Sequence, residues 1–273
     1  MSRNAKVLCV STKGGVGKST ISIQLIVPAL FELAQHQKVS LYECDDENSD
    51  SLSYGASQLL SRNLVRVDTP FLRDDLLELV LKEQPTCIDI GGNKSTTIVL
   101  DALDTSGAIH FIDLALIPIL DGEQDGLNAI DVYQRLKLLR PELPILFVLN
   151  RAKDSRYIEH QFENFFGDVR GIFQNINAVQ NYLIDEDANA YLTLDDNEMI
   201  KYSRRFGLTV YEIASQERDF ISRLKTDGTI QGDLNEAKIL SFKHFVEREC
   251  KNYLHRSLLP AIQKIQSTIR NLP

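Results

Sequence analysis

The sequence predicts an α/β protein with a doubly wound, mainly parallel β-sheet and helices on both of its faces. Apolar, β-rich runs alternate with helical patterns along the chain, which is typical of parallel sheets. Runs such as "LALIPIL" at residues 114–120 are apolar at every position, as expected for strands covered on both faces. A length of 273 residues is compatible with one domain. We therefore expect a single domain over residues 1–273, with a core at about 6–213 and a C-terminal helical region at about 214–273.

The order of the elements follows from hydrophobic patterning and turn residues. The predicted strands are Lys6–Ser11, Lys38–Glu43, Leu64–Val67, Thr86–Ile90, Leu114–Leu120, Ile145–Asn150 and Tyr191–Leu194. The predicted helices are Lys18–Ala34, Leu72–Glu83, Thr96–Leu103, Gly126–Leu139, Arg156–Phe166 and Asn197–Phe206. Gly207 follows the last of these helices, where a C-terminal glycine cap is expected.

Two parts of the chain have weaker patterns. Residues 171–190 are polar and acidic with little periodicity, and they predict a loop or an insertion. The residues from about Asn235 to Leu272 predict two helices separated near Pro260, because proline interrupts helical hydrogen bonding.

The composition is that of an ordinary soluble globular protein, with 43% hydrophobic and 25% charged residues and a net charge of −8. The four cysteines lie far apart and form no C-x-x-C pair, which favours structural packing in a reducing compartment. Residues 7–10 are too short an apolar run for an export signal, and residues 114–120 are too short to span a bilayer. These observations predict a cytoplasmic protein.

The glycine-rich stretch "VSTKGGVGKST" at residues 10–20 predicts a phosphate-binding loop, because it follows a predicted strand and opens a predicted helix. Glycines allow backbone N–H groups to approach phosphate oxygens, and the helix N-terminus adds a positive end. Lys18 is expected to neutralise the β- and γ-phosphates, and the Ser19 hydroxyl to bind Mg²⁺. The residues expected to bind the nucleotide ATP are Gly14, Gly15, Val16, Gly17, Lys18, Ser19 and Thr20.

This loop departs from the usual pattern at its start. Thr12 stands where a glycine is usual, and a second lysine, Lys13, follows it. A lysine at this position cannot easily fold back onto phosphates that its own loop surrounds. The stretch "KGGVGKST" matches K-G-G-x-x-K-[ST], and the chain therefore resembles the deviant Walker A ATPases of the ParA/MinD type. The resemblance implies a P-loop NTPase fold, Mg²⁺-dependent ATP hydrolysis and a homodimer formed on ATP, in which Lys13 crosses to the phosphates held by the second subunit.

The resemblance extends to the acidic segment "VSLYECDDENSD" at residues 39–50. Asp45 falls where the family has the aspartate that orients the attacking water, and Glu43 replaces the family's preceding aspartate. Asp46 and Glu47 replace the Pro-Gln pair of the family. A carboxylate cluster after a strand can also be a solvated turn, and this alternative stays open.

The run "TCIDIGG" at residues 86–92 ends in an aspartate next to the phosphate loop. Asp89 is the candidate Walker B carboxylate, which acts on Mg²⁺ and its bound water. The family usually has D-x-P-P here, and this chain has glycines instead. Further on, "ILFVLNRAK" resembles the family's strand whose asparagine reads the adenine, so Asn150 is the candidate base contact. The resemblance covers roughly residues 6–213.

The family divides by the surface that its dimer binds. In the DNA-segregation branch the ATP-bound dimer holds nonspecific DNA, and a cargo-bound adaptor stimulates hydrolysis. Lys201, Arg204 and Arg205 cluster on one predicted helix, and the region from Asp219 onward carries three more Lys/Arg than Asp/Glu. These cations favour DNA positioning (plasmid or chromosome partition, or conjugation) and association with the nucleoid, although ordinary solvated helix faces explain them equally well.

Three other classes of protein share this loop or this fold. A MinD-like ATPase that regulates membrane- or pole-associated machinery would use a C-terminal amphipathic helix. Here Leu258, Ile262, Ile265, Ile269 and Leu272 share one face, but the scarcity of cations and aromatic residues favours a core-facing helix over a membrane anchor. Metal-cluster carriers with this loop need paired cysteines that this chain lacks. Metabolic ligases or reductases would need a substrate pocket that no motif identifies.

Overall fold

A computed structural model describes residues 4–45, 50–168, 170–171, 178–184, 187, 189–215 and 236–272. The described residues form a seven-stranded sheet of order β3-β2-β4-β1-β5-β6-β7, in which every neighbouring pair is parallel. The predicted α/β fold with a parallel sheet is therefore confirmed. The acidic positions 46 and 47 and the tail cations at 223 and 225 lie outside the described residues.

The strands are β1 (Lys6–Cys9), β2 (Val39–Cys44), β3 (Leu60–Leu64), β4 (Thr86–Ile90), β5 (Leu114–Ile119), β6 (Ile145–Ala152) and β7 (Tyr191–Asp195). Most agree with the predicted strands to within two residues. β3 begins four residues before its predicted start, because its residues 61–63 are polar and only its pairing with β2 defines it as a strand. It lies at the edge of the sheet, where one face of a strand can stay exposed.

The helices are α1 (residues 18–33), α2 (Leu72–Leu81), α3 (Lys94–Thr105), α4 (Glu123–Leu139), α5 (Ile158–Gln161), α6 (Glu163–Phe166), α7 (Glu198–Phe206), α8 (Val210–Ser215) and α9 (residues 236–270). Short 3₁₀ turns are Asp50–Tyr54, Ala108–Phe111, Ser155–Tyr157 and Val179–Tyr182. The prediction of one helix over Arg156–Phe166 is wrong, because Phe162 adopts a non-helical conformation that buries its ring in the core. Gly207 has φ 68° and ends α7, as predicted.

Successive side chains along the strands enter two hydrophobic cores on opposite faces of the sheet. One core contains the inward residues of α1, α7, α8 and α9, and the other contains those of α2, α3, α4 and α6. Helices on both faces confirm the doubly wound arrangement. Each of the four cysteines is free and buried, as the packing interpretation predicts.

The prediction of two C-terminal helices broken near Pro260 is wrong. A π-helical turn, Leu254–Leu258, joins Glu236–Tyr253 to Leu259–Arg270, and the backbone stays helical throughout. The same arrangement occurs in α1, where the π turn Ser22–Ile26 precedes Pro28. Proline has no N–H to donate, and a wider turn just before it accommodates the missing hydrogen bond without ending the helix.

Helix α9 packs its apolar face into the core that it shares with α1. Ile262, Ile265 and Ile269 are fully or almost fully buried, and Gln266 Nε2 donates to the Ala29 carbonyl at 3.3 Å. The prediction of a core-facing helix is therefore confirmed. Among the described residues, none of the helices combines the length and the apolar character that crossing a bilayer requires.

Candidate phosphate-binding site

The site lies at the carboxyl ends of the central strands. The chain leaves β1 and returns on either side of it as β4 and β5, so the loop after β1 lies at the topological switch point of the sheet. Ligands of open α/β sheets bind in the crevice at such a point. The loops after β2, β4 and β6 reach the same edge, and they bring together residues that are distant in the sequence.

The glycine loop wraps around the start of α1. Gly15 and Gly17 have φ values of 78° and 91°, a left-handed conformation that other residues adopt at a cost. Lys18 is buried, and its Nζ donates to the carbonyl of Lys13 at 3.0 Å. Burial lowers the pKa of Lys18, and the nearby Asp89 and Asp45 carboxylates act in the opposite direction. A phosphate bound at this point would compensate the desolvated ammonium group.

Asn150 holds the loop from the neighbouring strand. Its Nδ2 donates to the carbonyl of Val16 at 2.8 Å, and its Oδ1 accepts from the backbone N–H of Arg151. A Cβ on Gly17 would lie 2.3 Å from Asn150 Nδ2, so glycine is required there by contact as well as by φ. The predicted contact of Asn150 with a base stays a prediction. What the structure gives is a buried asparagine that positions the loop backbone.

A register shift at the end of β6 changes the backbone conformation at Arg151, the residue after Asn150. The shift lies between Asn150 and Ala152, and Arg151 has φ 60°, which is unusual for a residue other than glycine. A bulge of this kind redirects side chains at the rim of a sheet. As a result Arg151, which the sequence analysis does not assign to the site, lines the same cavity as the glycine loop.

Asp89 lies buried beneath the loop at the end of β4. Burial raises the pKa of Asp89 to about 7, against the opposing effects of the Ser19 hydroxyl and the Lys18 ammonium group. Its Oδ1 has no hydrogen-bond partner among the described residues. A buried carboxylate oxygen without a donor is costly unless a cation or a water binds it.

Asp45 and Glu43 have different surroundings, although Glu43 lies near the end of β2 and Asp45 directly follows the strand. Asp45 lines the cavity, whereas the buried Glu43 accepts hydrogen bonds from the backbone N–H and the hydroxyl of Ser51. Ser51 Oγ in turn accepts from Arg62 Nε at 2.6 Å. Glu43 therefore supports the turn at Asp50–Tyr54, while Asp45 is the carboxylate of this segment that faces the cavity.

The two glycines after β4 fit against these groups. A Cβ on Gly91 would lie 2.8 Å from Asp45 Cγ, and a Cβ on Gly92 would lie 3.2 Å from the backbone nitrogen of Gly14. The next residue, Asn93, donates its N–H to the Thr12 carbonyl at 2.6 Å. The prolines of the family's usual pattern are therefore replaced here by residues that allow close contact with the phosphate loop.

Lys13 points away from the cavity that its own loop forms. Its Nζ lies 2.8 Å from Asp125 Oδ2, in the first turn of α4, and it does not line the cavity. The Lys13 side chain is 37% exposed, whereas Asp125 is 4% exposed. The structure thus brings the second lysine of the loop into an ion pair with a buried carboxylate of the same chain.

The cavity bounded by these residues has a volume of about 460 Å³, and four cationic side chains line it. Its cationic residues are Lys18, Lys94, Arg151 and Arg204, and its other lining residues from the predicted site are Gly14, Gly15, Gly17, Ser19, Thr20 and Asp45. The cluster is notable in a chain of net charge −8, and it favours an anionic ligand. Sequence analysis gives no signal for Lys94 or Arg151, and it groups Arg204 with a different surface.

The residues present fit a Mg²⁺ ion. Mg²⁺ is usually held by one or two carboxylates together with substrate phosphates and water. Ser19 lines the cavity, and Asp89 beneath it has an unpartnered oxygen. Among the described residues, no group of three or more His, Cys, Asp or Glu side chains could hold a metal without such a substrate. The donor set therefore suits a metal that arrives with a phosphate ligand.

No family model and no curated protein matches the chain. Solved structures that it resembles include the ATP complex of an McdA variant from Cyanothece, which is 15% identical, with 86% of this chain and 100% of that chain covered and a TM-score of 0.49. A putative plasmid partition protein from Borrelia burgdorferi bound to AMPPNP is 17% identical, with coverages of 82% and 95% and a TM-score of 0.47. The MinD cell division protein of Aquifex aeolicus is 16% identical, with coverages of 85% and 99% and a TM-score of 0.49.

These three structures include a putative plasmid partition protein and a MinD protein. At these identities and TM-scores, the likenesses say nothing about the activity or partners of this chain, and its fold follows from the strand order and register given above.

Proposed function

We propose that this chain is a single-domain ATP hydrolase that dimerises on ATP and positions DNA. The observation that carries the proposal is that a glycine loop, a buried lysine and two carboxylates come together at the carboxyl end of the sheet. Lys18 and Asp45, from the loops after β1 and β2, line one cationic cavity, and Asp89, at the end of β4, is buried close enough to oppose the lowering of the Lys18 pKa by burial.

Each residue has a role in ATP hydrolysis. Lys18 and the N–H groups of the glycine loop bind the β- and γ-phosphates. Ser19 and Asp89 would hold Mg²⁺, which when bound would neutralise charge on these phosphates. Asp45 orients a water molecule whose oxygen bonds to the γ-phosphorus, and a proton of that water passes to an oxygen of the γ-phosphate. The bond from that phosphorus to the bridging oxygen then breaks, and ADP and inorganic phosphate leave.

Lys13 is proposed to act on a second subunit. Its ammonium group lies outside the cavity of its own loop and is partly exposed next to Asp125. If the Lys13 side chain moves so that its ammonium group contacts the phosphates bound by a neighbouring copy, the dimer depends on ATP. A cation supplied in this way by an arginine is worth about 10³–10⁵ in rate in other NTPases.

The test of the site is sedimentation with ADP, ATP and a nonhydrolysable ATP analogue. We expect the wild-type protein to form dimers with ATP and its analogue but not with ADP. Lys13→Ala should keep nucleotide binding and lose the dimer, whereas Lys18→Ala should lose both. Unaltered ATP-dependent dimers of Lys13→Ala would show that this lysine does not act across subunits.

The proposed DNA role rests on exposed cations at the α7 and α9 surfaces. Lys201 and Arg205 on α7 are exposed, as are Lys251, Arg256 and Lys264 on α9. Contacts of such side chains with phosphates are independent of sequence and weaken steeply as salt rises. A cargo-bound adaptor that stimulates hydrolysis would then release the DNA, as in the DNA-segregation branch that the sequence resembles.

Binding of random duplex DNA, measured by fluorescence anisotropy over a range of salt concentrations, tests this role. We expect binding with ATP, little binding with ADP and a loss of roughly 10³-fold or more between 50 and 200 mM salt. Arg205 and Lys251 can be replaced together by glutamine, and the matched control replaces the exposed Arg73 and Lys82, in or next to α2 on the opposite face of the sheet. Binding to anionic vesicles in place of DNA would contradict the proposal and support a membrane-associated regulator.

A further inference from the structure

Helix α7 brings an arginine to the boundary between two cavities. Arg204 lines the cavity of about 460 Å³ around the glycine loop and also an adjoining cavity of about 310 Å³. The residues common to both cavities are Gly17, Thr20, Arg151 and Arg204. The junction is therefore formed by the start of α1 and two arginines.

Hydroxyl groups hold the Arg204 guanidinium in place. Its Nη2 donates to Thr20 Oγ1 at 2.8 Å, and its Nε donates to the Tyr54 hydroxyl at 3.3 Å. Over the described part of the chain, Arg204 forms no ion pair with an Asp or a Glu. A half-buried guanidinium with neutral partners keeps its charge uncompensated, and three of its five N–H donors remain for a ligand.

The position of Arg204 is fixed by buried groups. Tyr54 is buried and its hydroxyl also accepts from Gln24 Nε2 at 3.0 Å. Gln24 Nε2 donates as well to the hydroxyl of Ser203, the residue before the arginine. A binding group held in this way loses little conformational freedom when its ligand binds.

The direction of a bound nucleotide follows from the proposed ATP site, on which this inference rests. Lys18 and Ser19 belong to the β/γ-phosphate end of the first cavity. The nucleoside then occupies the second cavity, whose other walls include Asn150, Asp196 and Ile200. The phosphate at the junction is the one that joins these two parts. We propose that Arg204 binds the α-phosphate of the nucleotide.

This assignment separates Arg204 from its neighbour Arg205, with which the sequence groups it. Lys201 also lines the second cavity, whereas the exposed Arg205 lines neither cavity, and its guanidinium lies over the ring of Tyr202, 5.9 Å from its centroid. Arg205 makes no contact with Thr20 or Tyr54 among the hydrogen bonds of the described residues. It is therefore a matched control on the same helix with the same charge.

Calorimetric titration with ADP and with ATP tests the proposal. We expect Arg204→Gln to weaken both nucleotides by about 10- to 100-fold, the usual range for lost hydrogen bonds to a charged group. The ratio of ADP to ATP affinity should not change, because both ligands carry the α-phosphate. Arg205→Gln should bind both nucleotides within about twofold of the wild type.

The possible outcomes distinguish this inference from the proposed function. If the wild-type protein binds neither nucleotide, the ATPase proposal fails. If the wild type binds both and Arg204→Gln binds as tightly as Arg205→Gln, the Arg204 inference fails while the ATPase proposal stands. Weakening of ATP alone would assign the arginine to the γ-phosphate and overturn the α-phosphate contact.

Thermal melting checks that the variants are folded. If Arg204→Gln does not fold, Arg204→Lys is titrated instead. This variant keeps the positive charge but loses the planar guanidinium, whose N–H donors reach Tyr54, Thr20 and a ligand together. Weaker binding of both nucleotides by this variant supports the inference, and unchanged binding overturns it.

Discussion

At the scale of the residue, glycines in the phosphate loop differ in what they do. Gly17 combines φ 91° with a direct approach to Asn150, whereas a Cβ on Gly14 would meet no atom within 4 Å. A side chain is therefore sterically excluded at Gly17 but not at Gly14, although both residues are glycines of the same motif. The glycine motif alone does not distinguish them.

Replacement of Gly17 by alanine should cost roughly 2–4 kcal/mol in the free energy of unfolding. Part of the cost is the left-handed backbone, and the rest comes from displacement of Asn150, whose amide holds the Val16 carbonyl. Urea denaturation measures this change, and the control is Gly14→Ala, for which we expect less than about 0.5 kcal/mol. Equal stability of the two variants would show that the Asn150 contact does not restrain the loop.

At the scale of the element, one buried glutamine joins helices from distant parts of the chain. Gln24 lies in the π turn of α1, and its Oε1 accepts from the backbone N–H of Val210 at 2.9 Å. Its Nε2 reaches Ser203 on α7 and Tyr54 in the 3₁₀ turn after β2. The helix that begins at the phosphate loop is therefore fixed to α7, which carries Arg204, and to the turn that follows Asp45.

Gln24→Met should lower the free energy of unfolding by roughly 1–3 kcal/mol, because it keeps the side-chain size and leaves the Val210 N–H unpaired in the core. The matched control is Gln124→Met, the same change at an exposed position on α4. Chemical denaturation of both variants gives the comparison. A loss no larger than that of the control would mean that these hydrogen bonds add nothing to the packing of α1 against α7 and α8.

At the scale of the whole molecule, the Lys13–Asp125 ion pair opposes the proposed role of Lys13 in a dimer. A lysine that crosses to another subunit must first leave the Asp125 carboxylate, 2.8 Å away. Asp125 is buried and Lys13 is partly exposed, so the pair lies between a surface pair, worth about 0–1 kcal/mol, and a buried pair, whose disruption costs about 3–5 kcal/mol. Binding of the lysine to a triphosphate on the second subunit must offset this cost.

Asp125→Asn should tighten ATP-dependent dimerisation by about fivefold to 100-fold, because Lys13 no longer has to leave a buried carboxylate in the monomer. Its control is Asp131→Asn, an exposed carboxylate on the same helix. Sedimentation equilibrium with the nonhydrolysable analogue measures both. A dimer of Asp125→Asn that is no tighter than that of the control, or is weaker, would show that this carboxylate does not restrain Lys13.

The sequence by itself determines the fold class, the strand that carries each predicted site residue and the glycine loop. These are properties of short segments, because side-chain periodicity and turn chemistry act over a few residues. For the same reason the edge strand β3 and the continuous helix α9 are predicted wrongly. In β3 the pattern depends on pairing with β2, and in α9 a π turn compensates for Pro260.

Only the tertiary structure decides which of the charged residues meet. Lys13 and Asp125 are 112 positions apart, and Arg204 and Thr20 are 184 positions apart. Arg204 and Arg205 are adjacent in the sequence, yet one lines the cavity around the glycine loop and the other faces solvent. The direction in which a helix presents its side chains depends on how it packs against the sheet, and local patterns carry no information about that contact.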